Sequence, residues 1–472
     1  MTATVPVQYV RTQLINHARL FFTDVAVKIL QSDAVKFLPY ADAAAVRAPA
    51  IVIPTDIPIP PSPQSRWRVP FNGTELTLWN PVPRPSGDTW SAVSSGSAPA
   101  WYQHNSGTLM PAWNLFGNLF DLLTFGEEFR SNQRDRHGRF DWRFSPRLSP
   151  GLLTVPAVNE AVALLADASV SLSRSKPPSF ILDCLSGPPV VVLSHDCDLL
   201  TGNDFITQAV RLYRTFQPLT RFRLPRPGNL WWIVRNAVTP RRYYFDNVTG
   251  MLDIERCFRF TSTLYLLNGA KGRFGARSPL AETRRLAKLV PPAWEIGMHY
   301  NYNTFLDPSA FSSQLDQLKQ IVPNRIISGR AHYLHFDPFR SFSFLQQYGI
   351  CTDESSGWPD YVGFRNGIAG CFQAYDLKQN TPLDIWEVPL TIVENALANQ
   401  HGAESLPVVE NLLRHLRSIG GALTILFHPG RFHNPESPRT LFLYHEILKA
   451  GRRVEATSLT ARQLVDRIRD LS

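Results

Sequence analysis

Five places in the second half of the chain carry ionisable side chains directly after an apolar run. Val190-Val191-Val192-Leu193 leads into Ser194-His195-Asp196-Cys197-Asp198, and Trp294-Glu295-Ile296-Gly297-Met298 ends on His299. Ile326-Ile327 leads to Arg330 and His332, Gly349-Ile350-Cys351 to Asp353, and Ala422 through Phe427 to His428. One His on a strand is ordinarily a satisfied core residue. A repeated placement at strand ends is different, because a parallel α/β fold brings all those ends to one face. An Asp-x-Asp pair can hold a cation with one carboxylate and leave the other free as a base. A clustered His and Asp set reads as a metal site with acid–base partners. Such a set suits zinc-assisted hydrolysis, in which a carboxylate takes a proton from water and a His protonates the leaving group.

The elements that must position these groups follow from periodicity. Short β-branched runs alternate with helical stretches from residue 190 onward: strands near 190–198, 258–267, 294–299, 326–330, 385–393 and 422–428, with helices near 281–289, 311–321, 342–348, 408–419, 440–449 and 460–471. Repeated βα units predict a parallel sheet or barrel, and the length of this half suits a (β/α) barrel with insertions. Pro389 marks an irregular or edge position. The first half reads differently. Residues 1 to about 50 have helical spacing, 50–110 are rich in Pro, Ser and Trp with short strands, and helices resume from 112 and from 155. This predicts a mixed α+β domain over 1–175 and the barrel over 176–472. Trp231-Trp232-Ile233-Val234 stands out as an apolar insertion.

Composition bounds the function. At 472 residues and 44% hydrophobic content the chain is long enough for two domains. It has no apolar run of about 18 residues, so no transmembrane helix is expected. Its N-terminus lacks a basic segment followed by an apolar one, so no secretory signal is expected. Five cysteines (184, 197, 257, 351 and 371) without CxxC spacing argue against a disulfide framework and a zinc finger. A net charge of +9 comes mainly from Arg, with pairs at Arg241-Arg242, Arg284-Arg285 and Arg452-Arg453. Such a surface suits nucleic acid, anionic lipid headgroups or an anionic saccharide or nucleotide-linked substrate. No nucleic-acid-binding motif is present, so no nucleic-acid partner is expected.

The second half resembles the polysaccharide deacetylase family, carbohydrate esterase family 4, over about 280 residues. Ser194-His195-Asp196-Cys197-Asp198 resembles its first motif. Glu295 through Asn303 resembles the second, metal-binding motif, and Gly329-Arg330-Ala331-His332-Tyr333 the third. Tyr348 through Ser356 resembles the Gly-x-x-x-Asp-x-Ser segment, and Thr424-Ile425-Leu426-Phe427-His428-Pro429 the last motif. In the first half, Asn118 through Glu128, Asp135 through Phe140, and Val155 through Glu160 are similar to an uncharacterised domain that precedes such barrels in bacterial proteins linked to surface polysaccharides.

The resemblance implies a distorted (β/α) barrel, an N-acetylated saccharide substrate and a divalent metal, Zn2+ foremost. It implies a bacterial, cytoplasmic protein with Asp196 as general base, paired at a distance by Arg330, Asp198 and His299 as metal ligands, and His428 as general acid. The backbone near Tyr333 would help form the oxyanion hole, and Tyr333, Asp353 and Arg365 would contact substrate. The family's second motif has two His four residues apart, and here the second position is Asn303. An amide oxygen is a poor zinc ligand, so the expected third ligand is His332, where the third motif usually has Pro. His335 and His433 are expected to be structural. The competing expectation is a barrel that binds saccharide with weakened or absent catalysis. Oligomeric state is not legible in the sequence.

Overall fold

The structure is a computed structural model that describes residues 4–96, 98–201, 205–221, 228, 230–231, 233–234, 243–272, 274–322, 326–434 and 437–470. The Gly202–Asp204 turn, Trp232 and Arg241-Arg242 lie outside the described residues.

The chain begins with helices α1 (Val5–Phe21) and α2 (Asp24–Gln31). The expected helical stretch to residue 50 is interrupted by strand β1 (Val35–Leu38) before the short helix α3 (Tyr40–Ala45). β1 pairs in parallel with β2 (Ile51–Pro54), which is buried at all four positions. A hairpin of β3 (Trp67–Phe71) and β4 (Thr74–Leu78) stands apart. β5 (Trp90–Val93), β6 (Trp101–His104) and β7 (Leu109–Pro111) complete a five-stranded sheet in the order β1-β2-β7-β6-β5. Helices α4 (Leu115–Leu123), α5 (Gly126–Phe129) and α6 (Ala157–Ser173) follow. Asn114 caps α4 by accepting from the Gly117 N–H. α6 is apolar almost all round and buried from Ala157 through Ser171, as a helix enclosed by other elements should be.

The second sheet is the scaffold of the site. Its strands are β8 (Val190–Cys197), β9 (Ser262–Leu267), β10 (Glu295–Tyr300), β11 (Ser328–Ala331), β12 (Thr352–Asp353), β13 (Phe372–Asp376), β14 (Thr381–Glu387), β15 (Ile392–Val393), β16 (Ala422–Leu426) and β17 (Thr457–Ser458). Their order is β13-β14-β12-β11-β10-β9-β8-β16-β15, with β17 added to β8. All pairs are parallel except β13 with β14. The continuous apolar run of β8 is explained by burial on both faces, since all eight of its residues are buried. The Leu390 N–H donates to Ser356 O at 2.7 Å and the Thr391 N–H to Thr424 O at 3.2 Å. The segment around Pro389 therefore bridges the β12 and β16 sides of the sheet, which makes a distorted barrel. For that reason the single strand expected over 385–393 divides into β14 and β15. The strand expected to begin at 258 begins at 262, because Tyr243–Phe258 is helical.

One hydrophobic core runs through both halves of the chain, from Val10 and Leu14 of α1 through Val162 and Leu165 of α6 to Val192, Ile425 and Leu426 of the barrel. Asn159 on α6 donates to Ala369 O and Gly420 O and accepts from the Ala369 N–H.

Candidate active site

Strand alternation sorts the opening motif. Asp196 and Ser194 point into the barrel, and His195 points outward, where its ring nitrogens meet Phe427 O at 2.9 Å and Glu255 Oε1 at 2.7 Å. The Tyr444 hydroxyl donates to the same Glu255 oxygen at 2.5 Å. His195 is thus a structural residue, as its place on the strand implies.

Arg330 is fully buried and is the hub of the interior. Its Nη1 donates to Asp196 Oδ1 at 2.8 Å, its Nη2 to Ser194 Oγ at 2.6 Å, and its Nε to Glu354 O at 3.0 Å. A further contact joins it to Glu354 Oε2 at 3.0 Å. Its guanidinium lies 4.5 Å from the Tyr265 ring centre. Gly297 makes this possible, because a Cβ there would fall 2.4 Å from Tyr265 Cε1. Burial opposes the charge on Asp196, but His299, Arg330 and His428 outweigh it and hold its carboxyl below the usual range.

Above this hub, Asp198, His299 and His332 bring one oxygen and two ring nitrogens within 4.8 Å of one another. His299 Nε2 lies 3.1 Å from Asp198 Oδ1, and His332 Nε2 lies 3.6 Å from the same oxygen. The other nitrogen of each ring is fixed by a backbone carbonyl: His299 Nδ1 to Arg330 O and His332 Nδ1 to Phe274 O, both at 2.9 Å. With the proton on Nδ1, both Nε2 lone pairs face Asp198, the arrangement found around metal-ligating imidazoles. Among the described residues, His299 Nε2 and Asp198 Oδ1 are buried and meet no polar partner closer than each other, at 3.1 Å. Two lone pairs facing each other inside a protein call for a cation between them. The residues therefore fit a divalent metal. Burial pushes His332 down to about 4. Asp198 is held well below the carboxylate range, since His332 and His299 overcome its burial. The same two carboxylates, Asp196 and Asp198, reverse the effect of burial on His299 and raise it. Asn303 sits in a short 3-10 turn, Tyr302–Thr304, is exposed, and does not line the cavity.

His428 follows β16. Its Nε2 is 3.6 Å from Asp196 Oδ2 and 3.9 Å from Asp198 Oδ2, while its Nδ1 meets Glu394 Oε1 at 2.8 Å. Burial lowers its pKa, but Glu394, Asp196 and Asp198 prevail and raise it to about 9. Glu394 also receives Arg431 Nε at 2.9 Å. Sequence reasoning missed Glu394, although it is the residue immediately after β15 and so ends an apolar strand as the others do.

These groups floor a cavity of about 570 Å³. Asp196, Asp198, His332, Tyr333 and His428 line it, together with Arg136, Arg139, Arg211, Arg214, Arg277 and Arg431. Tyr333 has a left-handed backbone at φ 60° and a half-exposed ring stacked 5.3 Å from His137. The Arg139 guanidinium donates to Tyr333 O at 2.5 Å and is held by Asp135. A loop of the first half thereby builds one wall of the mouth.

Two expected substrate contacts lie elsewhere. Arg365 is buried and makes a two-pronged pair with Glu128, 2.8 Å at each prong. Asp353 is fully buried and accepts from the Ser355 N–H and hydroxyl, both at 3.1 Å. Neither lines the cavity; each is committed to the framework. Arg330, expected to stand at a distance from Asp196, touches it directly. His335 is stacked between Tyr302 and Phe305, with ring centres 4.4 and 4.0 Å away.

No family model matches the sequence, and no curated protein matches it. Among solved structures, the chain is similar to a protein of Mycobacterium smegmatis described as a polysaccharide deacetylase (15% identity, TM-score 0.39, 60% of this chain and 94% of that one). It is also similar to an allantoinase (12% identity, TM-score 0.39, 60% and 93%). A third is a Bordetella bronchiseptica protein described as a polysaccharide deacetylase involved in O-antigen biosynthesis (14% identity, TM-score 0.29, 59% and 88%).

Proposed function

We propose that the chain is a metal-dependent hydrolase that removes the N-acetyl group of an acetamido sugar during bacterial surface-polysaccharide biosynthesis. The observation that carries this reading is the set Asp198, His299 and His332, with both Nε2 atoms directed at one unpartnered carboxylate oxygen. A divalent cation held there, Zn2+ in our reading, supplies Lewis-acid polarisation of the acyl carbonyl and of the attacking water. The chain's own residues do the rest. Asp196, kept ionised by Arg330, accepts the proton of the attacking water. The backbone near Tyr333 helps to stabilise the negative charge that develops on the acyl oxygen. His428, oriented by Glu394, which also favours its protonated form, delivers a proton to the departing amine nitrogen. Residues 1–175 act as a domain that supplies one wall of the mouth through Arg136, His137 and Arg139.

The test has two parts. Purified protein is analysed for bound zinc, cobalt and nickel, and acetate release is measured on N-acetylated sugars, nucleotide sugars and small non-sugar amides. One equivalent of metal, lost in Asp198→Ala, with acetate released from a sugar, is the expected result. Protein that binds no metal and is unchanged by Asp198→Ala overturns the enzyme reading in favour of a saccharide-binding barrel. Release from non-sugar amides alone overturns the substrate class.

A further inference from the structure

α7 (Phe205–Phe216) is built inside out. Ala209, Leu212, Tyr213 and Phe216 fall at i, i+3, i+4 and i+7, the spacing of one helical face, and all four are exposed. The side of the helix that turns inward is polar: Thr215 is fully buried, and Gln208 and Arg211 are half-buried. A helix of a water-surrounded protein normally turns its apolar stripe to the core. The exposed apolar surface continues beyond α7 with Leu219, Leu230, Trp231 (68% exposed) and Val234. Among the described residues, eight of the sixteen exposed large hydrophobic side chains lie between Val210 and Val234. Scattered apolar residues on a surface are ordinary; half of them within 25 positions is a patch.

The charge of the same stretch says what covers it. From Phe205 to Phe245 the sequence has eight Arg (211, 214, 221, 223, 226, 235, 241 and 242) and neither Asp nor Glu. A stretch rich in apolar and aromatic residues and in Arg, without acid, matches a bilayer surface with anionic headgroups: the exposed apolar chains enter the acyl boundary and the net positive charge of the stretch draws the headgroups. Tyr213 and Trp231 are the residue types that settle at that boundary. Val210, Arg211 and Arg214 also line the active-site cavity, so this face adjoins its mouth.

We propose that α7 and the exposed apolar residues after it form a docking surface for a membrane containing anionic phospholipid. The inference stands independently of the hydrolase reading.

Full-length protein is sedimented with vesicles of phosphatidylcholine containing phosphatidylglycerol, and with phosphatidylcholine alone. Binding to the anionic vesicles, weakened by salt and much weaker on the neutral ones, is expected. The double variant Leu212→Glu, Phe216→Glu should lose binding by roughly tenfold or more while keeping its unfolding temperature. Should that variant fail to fold, brominated phospholipid in the anionic vesicles provides a second measurement: it should quench tryptophan emission of the native protein more than that of Trp231→Phe. Asp198→Ala should bind vesicles like the native protein, which separates this proposal from the fate of the metal site. Native protein left in the supernatant with both vesicle types overturns the proposal. So does a native dimer, without vesicle binding, that the double variant converts to monomer, because the patch would then join two copies of the chain.

Discussion

Two buried clusters of charge in this molecule use similar residue types for opposite ends. At the junction between the first half and the barrel, Arg365 is paired with Glu128 at two prongs, and Arg147 with Glu127 at 2.6 Å. Arg147 further donates to Phe364 O and Arg365 O. The Arg365 guanidinium also lies between the rings of Phe125 and Trp358, at 5.5 and 5.1 Å. There the guanidinium donors of Arg147 and Arg365 meet acceptors, and neither side chain lines the cavity of about 570 Å³. At the barrel mouth, Asp198 and His299 face each other without a partner beside a cavity. A buried charge whose partners are complete is framework; polar atoms left unsatisfied beside a cavity are held ready for something that arrives.

The comparison can be broken at several points. The largest effect is expected from Asp196→Asn, which keeps the shape but removes the proposed base. Acetate release should fall by about 10²- to 10⁴-fold with metal content unchanged in elemental analysis. Loss of the metal together with activity would show that Asp196 belongs to the ligand set. Glu128→Ala should do the reverse. It strands Arg365 in the interior and should cost about 3–5 kcal/mol in denaturant unfolding, while any folded fraction keeps its metal. A change under 1 kcal/mol would mean that the junction is not framework.

His17 provides a pH test at the same junction. It is fully buried, with Nδ1 3.3 Å from where a Cβ on Gly370 would lie, and burial pushes it down to about 3. Its folded pKa is below its unfolded value, so the unfolded chain binds the extra proton first. The stability it contributes is full above about pH 6.5 and is lost as pH falls towards 3. Unfolding free energy measured against pH should drop by a few kcal/mol over that window, and His17→Leu should flatten the drop. A profile that His17→Leu leaves unchanged would remove His17 from the junction's energetics. The smallest effect is expected on the surface, where Arg68 and Glu75 pair with 61% and 56% of their side chains exposed. Arg68→Ala should change unfolding by less than about 1 kcal/mol, which sets the scale against which Glu128→Ala is read.

The strands that bear the site were legible because burial on both faces leaves an unbroken mark. Val190 to Leu193 and Ala422 to Leu426 read as strands from composition alone, and both are fully buried. β1 was not legible, since its four residues are mostly half-exposed and sit within a helical pattern. The same limit separated the site residues. Asp196, Asp198, His299, His332 and His428 each follow an apolar run, and the sheet order brings them together. Arg365 looked like a substrate contact because a sequence shows a charge without showing what it faces. Its partner Glu128 is 237 positions away.

By itself, the sequence determined which segments become buried strands and which ionisable groups stand at their ends, because apolar periodicity and burial are local properties of the chain. Only the tertiary structure decided which of those groups share a point in space and which are neutralised. It placed His332, rather than Asn303, beside Asp198 and His299, put Glu394 behind His428, locked Arg365 to Glu128, and turned the apolar face of α7 outward. The physical reason is that pairing and exposure depend on neighbours distant in sequence, and the chain acquires those neighbours only when the sheet closes.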